Sequence, residues 1–220
     1  MSESVSELDP LRWVPDDEVP ARRVLLVRHG HYERVDNLGD EVWGLSALGR
    51  RQAARTGHRL ARLVPHFPGQ FEGLYASPWP RAQQTAMISA HELGVDRIRV
   101  KPYLRETIPL VPLAADGVSS AHPILAATSP RDRREVSAQV RRVVARFFKG
   151  GNKSCTYLLF THGNLIRYLL TETLGLPYES WMRIAICHAS ITEIRVFPGN
   201  VSALISFNDT GHLPPEMISA

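Results

Sequence analysis

Short apolar runs alternate along this chain with longer stretches whose apolar residues recur at helical spacing. Val24-Leu25-Leu26-Val27 is the first run, and its aliphatic, β-branched make-up predicts a short buried strand. Ser46 is a fitting N-cap for a helix reaching about Leu63, with Leu48, Ala53, Leu60 and Val64 toward the core. Residues 74–76 predict a second strand. Ser77-Pro78-Trp79-Pro80 then opens a helix that runs through about Leu93 and ends at Gly94. A third strand covers residues 98–101. The clearest helix begins at Ser129-Pro130, with Val136, Val140, Val143, Val144, Phe147 and Phe148 on one face and arginines opposite. Gly150-Gly151 stops it. Residues 157–161 form a fourth strand, and Leu165, Ile166, Leu169, Leu170 and Leu174 mark a helix ending at Gly175. Residues 191–197 and 201–207 flank Pro198-Gly199-Asn200 and read as a hairpin, followed by an irregular tail. This order predicts an α/β fold, a three-layer α/β/α sandwich around a mainly parallel sheet with an antiparallel edge.

Two stretches fall outside the pattern. Between residues 107 and 130 the periodicity fails, and Pro109, Pro112, Pro123 and Pro130 punctuate it. A connection of that length predicts a lid over a binding site. Residues 1–20 predict a flexible acidic tail, leaving residues 21–220 as a single domain.

Charge adds to the picture. The chain's 220 residues carry a net charge of +4, yet the tail holds Glu3, Glu7, Asp9, Asp16, Asp17 and Glu18 against Arg12 alone. The basic body suits phosphate-bearing partners. No groove-reading helix or aromatic stacking motif accompanies it, so nucleic acid is not expected as a partner. No apolar run approaches a membrane span, and no secretory signal pattern opens the chain, so the expectation is a cytoplasmic protein without a membrane partner. Cys155 and Cys187 form no CxxC pattern and read as reduced thiols.

The candidate chemistry lies at two strand ends. Arg28-His29-Gly30 follows the first strand and His162-Gly163 follows the fourth, at the carboxyl edge where open α/β sheets hold ligands. Arginine binds phosphate with two parallel hydrogen bonds, and neutral imidazole offers a lone pair to attack phosphorus. Arg81, near the start of a helix, adds a second guanidinium beside an anion-favouring helix N-terminus. His31 faces either substrate or solvent. His188 is either a buttress of the site or a satisfied core histidine, the second reading being preferred. His58, His66, His91 and His212 read as surface or packing residues. His29-x-His31 has the spacing of a metal pair, but the adjacent Arg28 disfavours a cation, and no metal is expected.

Five blocks stand in order: Arg28-His29-Gly30; Leu45-Ser46-Ala47-Leu48-Gly49-Arg50; Ser77-Pro78-Trp79-Pro80-Arg81-Ala82-Gln83-Gln84-Thr85; Leu104-Arg105-Glu106; and Thr161-His162-Gly163-Asn164. Together they resemble the signature of the phosphoglycerate-mutase-like histidine phosphatase superfamily. The resemblance implies a phosphomonoesterase without a cofactor, in which His29 is the nucleophile and becomes phosphohistidine. It further implies that Arg28, Arg81 and His162 hold the phosphate and that Glu106 protonates the leaving oxygen, unless Arg105 holds Glu106 in an ion pair. Within the superfamily, His31-Tyr32, Thr107-Ile108-Pro109, Leu165-Ile166-Arg167-Tyr168 and residues 209–216 are most similar to the Ser/Thr protein phosphatases, with Thr107 in place of an expected glycine. Expected partners are therefore a phosphorylated substrate, phosphoprotein or small ester, and a second copy in a homodimer. The competing readings are a small-molecule phosphatase, a phosphoglycerate mutase and a non-catalytic phosphate-binding module. The mutase reading lacks its expected sequence at His31-Tyr32-Glu33-Arg34 and its longer insertion.

Overall fold

Apolar residues in the central strands are buried on both faces, and this sets the layering. In a computed structural model that describes residues 19–108 and 129–220, six strands form one sheet. They are β1 (Arg22–Arg28), β2 (Gln70–Ala76), β3 (Ile98–Val100), β4 (Cys155–Thr161), β5 (Ile191–Val196) and β6 (Ser202–Asp209), in the order β3-β2-β4-β1-β5-β6. Strands β3, β2, β4 and β1 run parallel, β5 pairs antiparallel with β1, and β6 antiparallel with β5. Four helices cover the faces: α1 (Ala47–Leu63), α2 (Pro80–Leu93), α3 (Pro130–Phe147) and α4 (Gly163–Thr173).

Side chains alternate across a strand, so odd and even positions of β1 serve different layers. Leu25 and Val27 join Leu74, Ala76, Leu158 and Phe160 against Leu60 of α1 and Ala86 and Ala90 of α2. Val24 and Leu26 join Tyr75, Tyr157 and Leu159 against Val136, Val140 and Phe147 of α3 and Leu165 and Leu169 of α4. Each valine, leucine or phenylalanine among them stabilises the fold by about 1.5–3 kcal/mol on burial. The three layers and the antiparallel edge are as the sequence predicts. The expected tail up to residue 18 and residues 109–128 of the expected lid lie outside the described residues.

Several strands extend past their apolar runs. Arg22 and Arg23 belong to β1, where Arg23 Nε reaches Glu193 at 2.8 Å in a buried ion pair. Strand β2 begins at Gln70, and its register shifts between Phe71 and Gly73, where Gly73 takes φ 124°. A polar, irregular start hides that half of the strand from a hydrophobic pattern. At the carboxyl edge the ladder continues one residue beyond the strands. His29 N donates to Thr161 O at 2.9 Å, Ser77 N to Phe160 O at 3.0 Å, and Lys101 N to Ala76 O at 2.9 Å. These bonds fix the backbone on which the site is built. Cys155 and Cys187 are both free thiols.

Candidate active site

Two glycines let the first loop fold tightly behind the site. A Cβ on Gly30 would stand 2.6 Å from the carbonyl oxygen of Gly49, and a Cβ on Gly49 would stand 1.9 Å from that of His31. Helix α1 therefore packs directly on the turn after β1. Ser46 caps that helix by accepting from Gly49 N at 3.1 Å, and His31 N donates to Gln52 Oε1 at 2.7 Å. The turn is also pinned from α2, because Gly30 N donates to Thr85 Oγ1 at 3.0 Å.

His29 is buried at the centre. Its Nδ1 lies 2.8 Å from the carbonyl oxygen of Gly30, which only accepts, so Nδ1 carries the proton and Nε2 the lone pair. Burial, with His162, Arg28 and Arg81 nearby, holds the His29 pKa well below the usual 6.5. Arg81 Nε donates to the Nε2 lone pair at 3.1 Å. The Arg81 guanidinium is anchored by Asp40, through Nη1 to the carbonyl oxygen at 2.6 Å and Nη2 to Oδ1 at 3.0 Å. It lies between the rings of Tyr32 and Trp79, 4.9 and 4.6 Å from their centres.

The second strand end meets the first. The His162 ring centre lies 5.0 Å from that of His29, and its Nε2 lies 2.7 Å from Ser77 Oγ. Its Nδ1 is buried without a partner among the described residues, and burial, then Arg81 and Arg28, keeps it neutral by lowering its pKa well below 6.5. Arg28 donates through Nη1 to the Ile186 carbonyl and through Nη2 to His188 Nε2 at 2.9 Å. Its Nε is buried and unpartnered among the described residues. Burial lowers the Arg28 pKa to about 10, opposed by Glu106.

Glu106 sits at the N-terminus of α4. Its carboxyl group accepts from Thr107 N at 3.0 Å, Asn164 N at 3.3 Å and Leu165 N at 3.1 Å, rather than pairing with Arg105. Burial raises its pKa from 4.5, against those backbone bonds and Arg28. The fold thus brings His29, Arg28, Arg81 and His162 together with Glu106 close enough to act electrostatically on both arginines.

The other histidines divide. His58, His66 and His91 are exposed, and His212 packs against Thr56 Oγ1 at 3.0 Å. His31 is half-buried, with Nδ1 2.8 Å from Ser46 Oγ. This ties the ring's Nδ1 to the helix cap. His188 is buried, yet it also belongs to the site. Because a guanidinium only donates, Nε2 accepts from Arg28, and Nδ1–H donates to Ser219 Oγ at 3.1 Å. Burial, then Arg28, lowers its pKa to about 3, which keeps it neutral as an acceptor. Asp40, in a stretch without periodicity, was not singled out from the sequence, and Tyr32 and Trp79 stood there only as members of motifs, with no role of their own.

A family model described as "Histidine phosphatase superfamily (branch 1)" matches residues 24–108 and 117–210. A protein of Drosophila persimilis named serine/threonine-protein phosphatase Pgam5, mitochondrial, is 38% identical over 197 residues, 88% of this chain and 65% of its own length. Its counterpart in Drosophila mojavensis is 37% identical over 202 residues, 90% of this chain and 67% of its own. The chain thus spans about two thirds of the length of these relatives. Among solved structures, a mycobacterial glucosyl-3-phosphoglycerate phosphatase matches with TM-score 0.64 and 25% identity, over 86% of this chain and all of that one. A phosphoglycerate mutase from Plasmodium falciparum shares the fold with TM-score 0.59 and 22% identity, over 89% of this chain and 96% of that one. The expectation of a cytoplasmic location is corrected by these findings, because the relatives carry mitochondrial names. Among the described residues, no helix is long and apolar enough to cross a membrane.

Proposed function

The chain belongs to the histidine phosphatase superfamily, and from that premise we propose that it hydrolyses phosphoserine and phosphothreonine in proteins through a phosphohistidine on His29. The observation that carries the reading is the commitment of His29 Nδ1 to Gly30, which leaves Nε2 as the basic atom facing Arg81 and His162. Arg28, Arg81 and His162 take the phosphate oxygens, using the Arg28 Nε and His162 Nδ1 that have no partner among the described residues. Arg81 Nε transfers from the His29 lone pair to an oxygen as phosphate arrives, which frees Nε2 for in-line attack.

The chemistry then runs in two steps. Nε2 forms the N–P bond as the bond to the seryl or threonyl oxygen breaks, and the carboxyl proton of Glu106 passes to that oxygen. The Glu106 carboxylate next takes a proton from water as the water oxygen attacks phosphorus and the N–P bond breaks. Phosphate leaves, with His29 and protonated Glu106 restored. A raised pKa suits Glu106 to begin as an acid. Likeness to the Pgam5 relatives supports the protein substrate. A small phosphate ester is the second reading, supported by the likeness to the mycobacterial phosphatase.

Rapid-quench labelling with a radiolabelled phosphothreonine peptide tests the mechanism. An acid-labile, alkali-stable adduct on the wild type and none on His29→Ala is the expected result. Turnover without that adduct removes His29 from the nucleophile's place.

A further inference from the structure

Away from the catalytic edge, the side of β3 that no strand pairs with among the described residues forms one wall of a cavity of about 540 Å³. Arg97, Arg99, Lys101 and Arg146 line it, with Glu72 as the one carboxylate of its wall and Tyr75 and Tyr103 as its aromatic surface. Among the described residues, none of the four cations forms an ion pair. Arg99 donates to the Glu72 carbonyl at 2.9 Å and lies 5.3 Å from the Tyr75 ring centre. Arg146 Nη2 lies 3.5 Å from Tyr75 Oη. Among the described residues, no carboxylate pairs with any of the four, and the side chains of Arg97 and Lys101 have no polar partner.

A second cavity, of about 380 Å³, shares Tyr103 with the first and adds Arg105, Arg142 and Glu135, whose carboxylate is paired with Arg131, along the outer side of α3. Gln139 fixes this floor by donating to the carbonyls of Tyr103 and Arg105, at 3.2 and 2.8 Å. The next residue is Glu106. The two cavities therefore run from the sheet edge to the residue that precedes the candidate acid in the chain. From Gln139 to Arg146 is two turns of helix, about 10 Å.

We propose that the groove of these two cavities binds an acidic stretch of a phosphoprotein substrate, flanking the phosphorylated side chain in sequence. The proposal rests on the protein-phosphatase reading above and supplies the substrate class that reading leaves open. Unpaired arginines with tyrosine walls suit carboxylates, and the edge of β3 that no strand among the described residues covers offers main-chain groups to an extended peptide. Charged side chains on an edge strand also guard against edge-to-edge association. Charge reversal separates the two roles, because Arg97→Glu with Lys101→Glu keeps the edge charged while repelling an acidic peptide.

The test uses the full chain and this double variant. Phosphothreonine peptides carry aspartate-glutamate blocks flanking the phosphothreonine at graded spacings, or alanines there. The wild type is expected to favour the acidic peptide by about tenfold in kcat/KM, through KM. The double variant is expected to lose that preference with its p-nitrophenyl phosphate rate unchanged. Equal preference in both proteins, or none in the wild type, overturns the proposal. If p-nitrophenyl phosphate turns over and no phosphopeptide does, the protein-phosphatase reading fails. Fluorescence anisotropy of a labelled acidic peptide without phosphate then decides the groove alone. Binding to the wild type that weakens about tenfold in the double variant supports the groove, and equal or absent binding overturns it.

Discussion

Arg28 and Arg81 are enclosed at the strand ends, each anchored by named acceptors, and burial lowers both their pKa values. Arg97 and Arg146 at the β3 groove are exposed, and no carboxylate among the described residues pairs with them. The residue type is the same in both places, and the physics differs. Removing water from a charge costs stability, but it makes the remaining donors strong and fixed in direction. A solvated charge keeps its rotational freedom and is screened within about 10 Å at 0.1 M salt. The pocket is therefore built to act on a reacting phosphate, whereas the groove acts on affinity and tolerates imprecise contact.

The largest difference should appear on replacing Glu106. Glu106→Gln keeps an acceptor for the α4 backbone but carries no acidic proton, so turnover of a phosphothreonine peptide should fall about 10³-fold. The loss should be much smaller for p-nitrophenyl phosphate, whose leaving group departs without a proton. The pH profile supplies a second sign. Glu106 works as its acid form, so the wild-type rate falls as pH rises through its raised pKa, and that limb should disappear in the variant. Equal losses on both substrates would remove Glu106 from the acid's role. Paired conservative changes come next. Arg81→Lys loses the planar fork that spans Asp40 and His29 and should lower kcat about 10²-fold. Arg97→Lys keeps a solvated charge, and kcat on the same peptide should not change. A comparable fall in both would show that the pocket's geometry is not what distinguishes it.

What could be read from the chain follows the same division. Leu25 and Leu26 face opposite layers because a strand alternates, so the sandwich is legible from short apolar runs. His29, Arg81 and His162 are legible because each sits at a fixed place beside a strand end or a helix start. Polar residues buried by long-range contacts are not. Gln52 and Thr56 lie on the inner face of α1, where a hydrophobic pattern expects apolar side chains. Their partners are the Met217 carbonyl at 2.6 Å and the Ala189 carbonyl at 3.0 Å, both far along the chain. His188 is the same case: its bonds to Arg28 and Ser219 span 160 and 31 residues. Asp40 lies in a loop without periodicity, and only the fold carries it to Arg81. The groove was equally hidden, since arginines on an amphipathic helix read as an ordinary solvated face until β3 stands beside them.

The smallest expected effect is on stability, and it separates the regions without any substrate. His29, His162 and His188 are held neutral in the folded chain, with pKa values below 6.5 and that of His188 near 3. Above about pH 6.5 they are neutral in both folded and unfolded chains and contribute no pH dependence. As pH falls below that value the unfolded chain takes up protons that the folded chain does not, so stability declines toward pH 3. Thermal melts from pH 7.5 to 4.5 should show Tm falling with pH. His188→Asn should make that fall shallower, because one of the three suppressed protonations is gone. The variant should also have a lower Tm at pH 7.5, where Arg28 has lost the acceptor that Ser219 orients. Arg97→Ala removes an exposed charge and should reproduce the wild-type curve to within about 0.5 kcal/mol at every pH. A His188→Asn curve parallel to the wild type would mean that this ring is protonated in the folded chain, and Arg28 would then need another acceptor to hold its place.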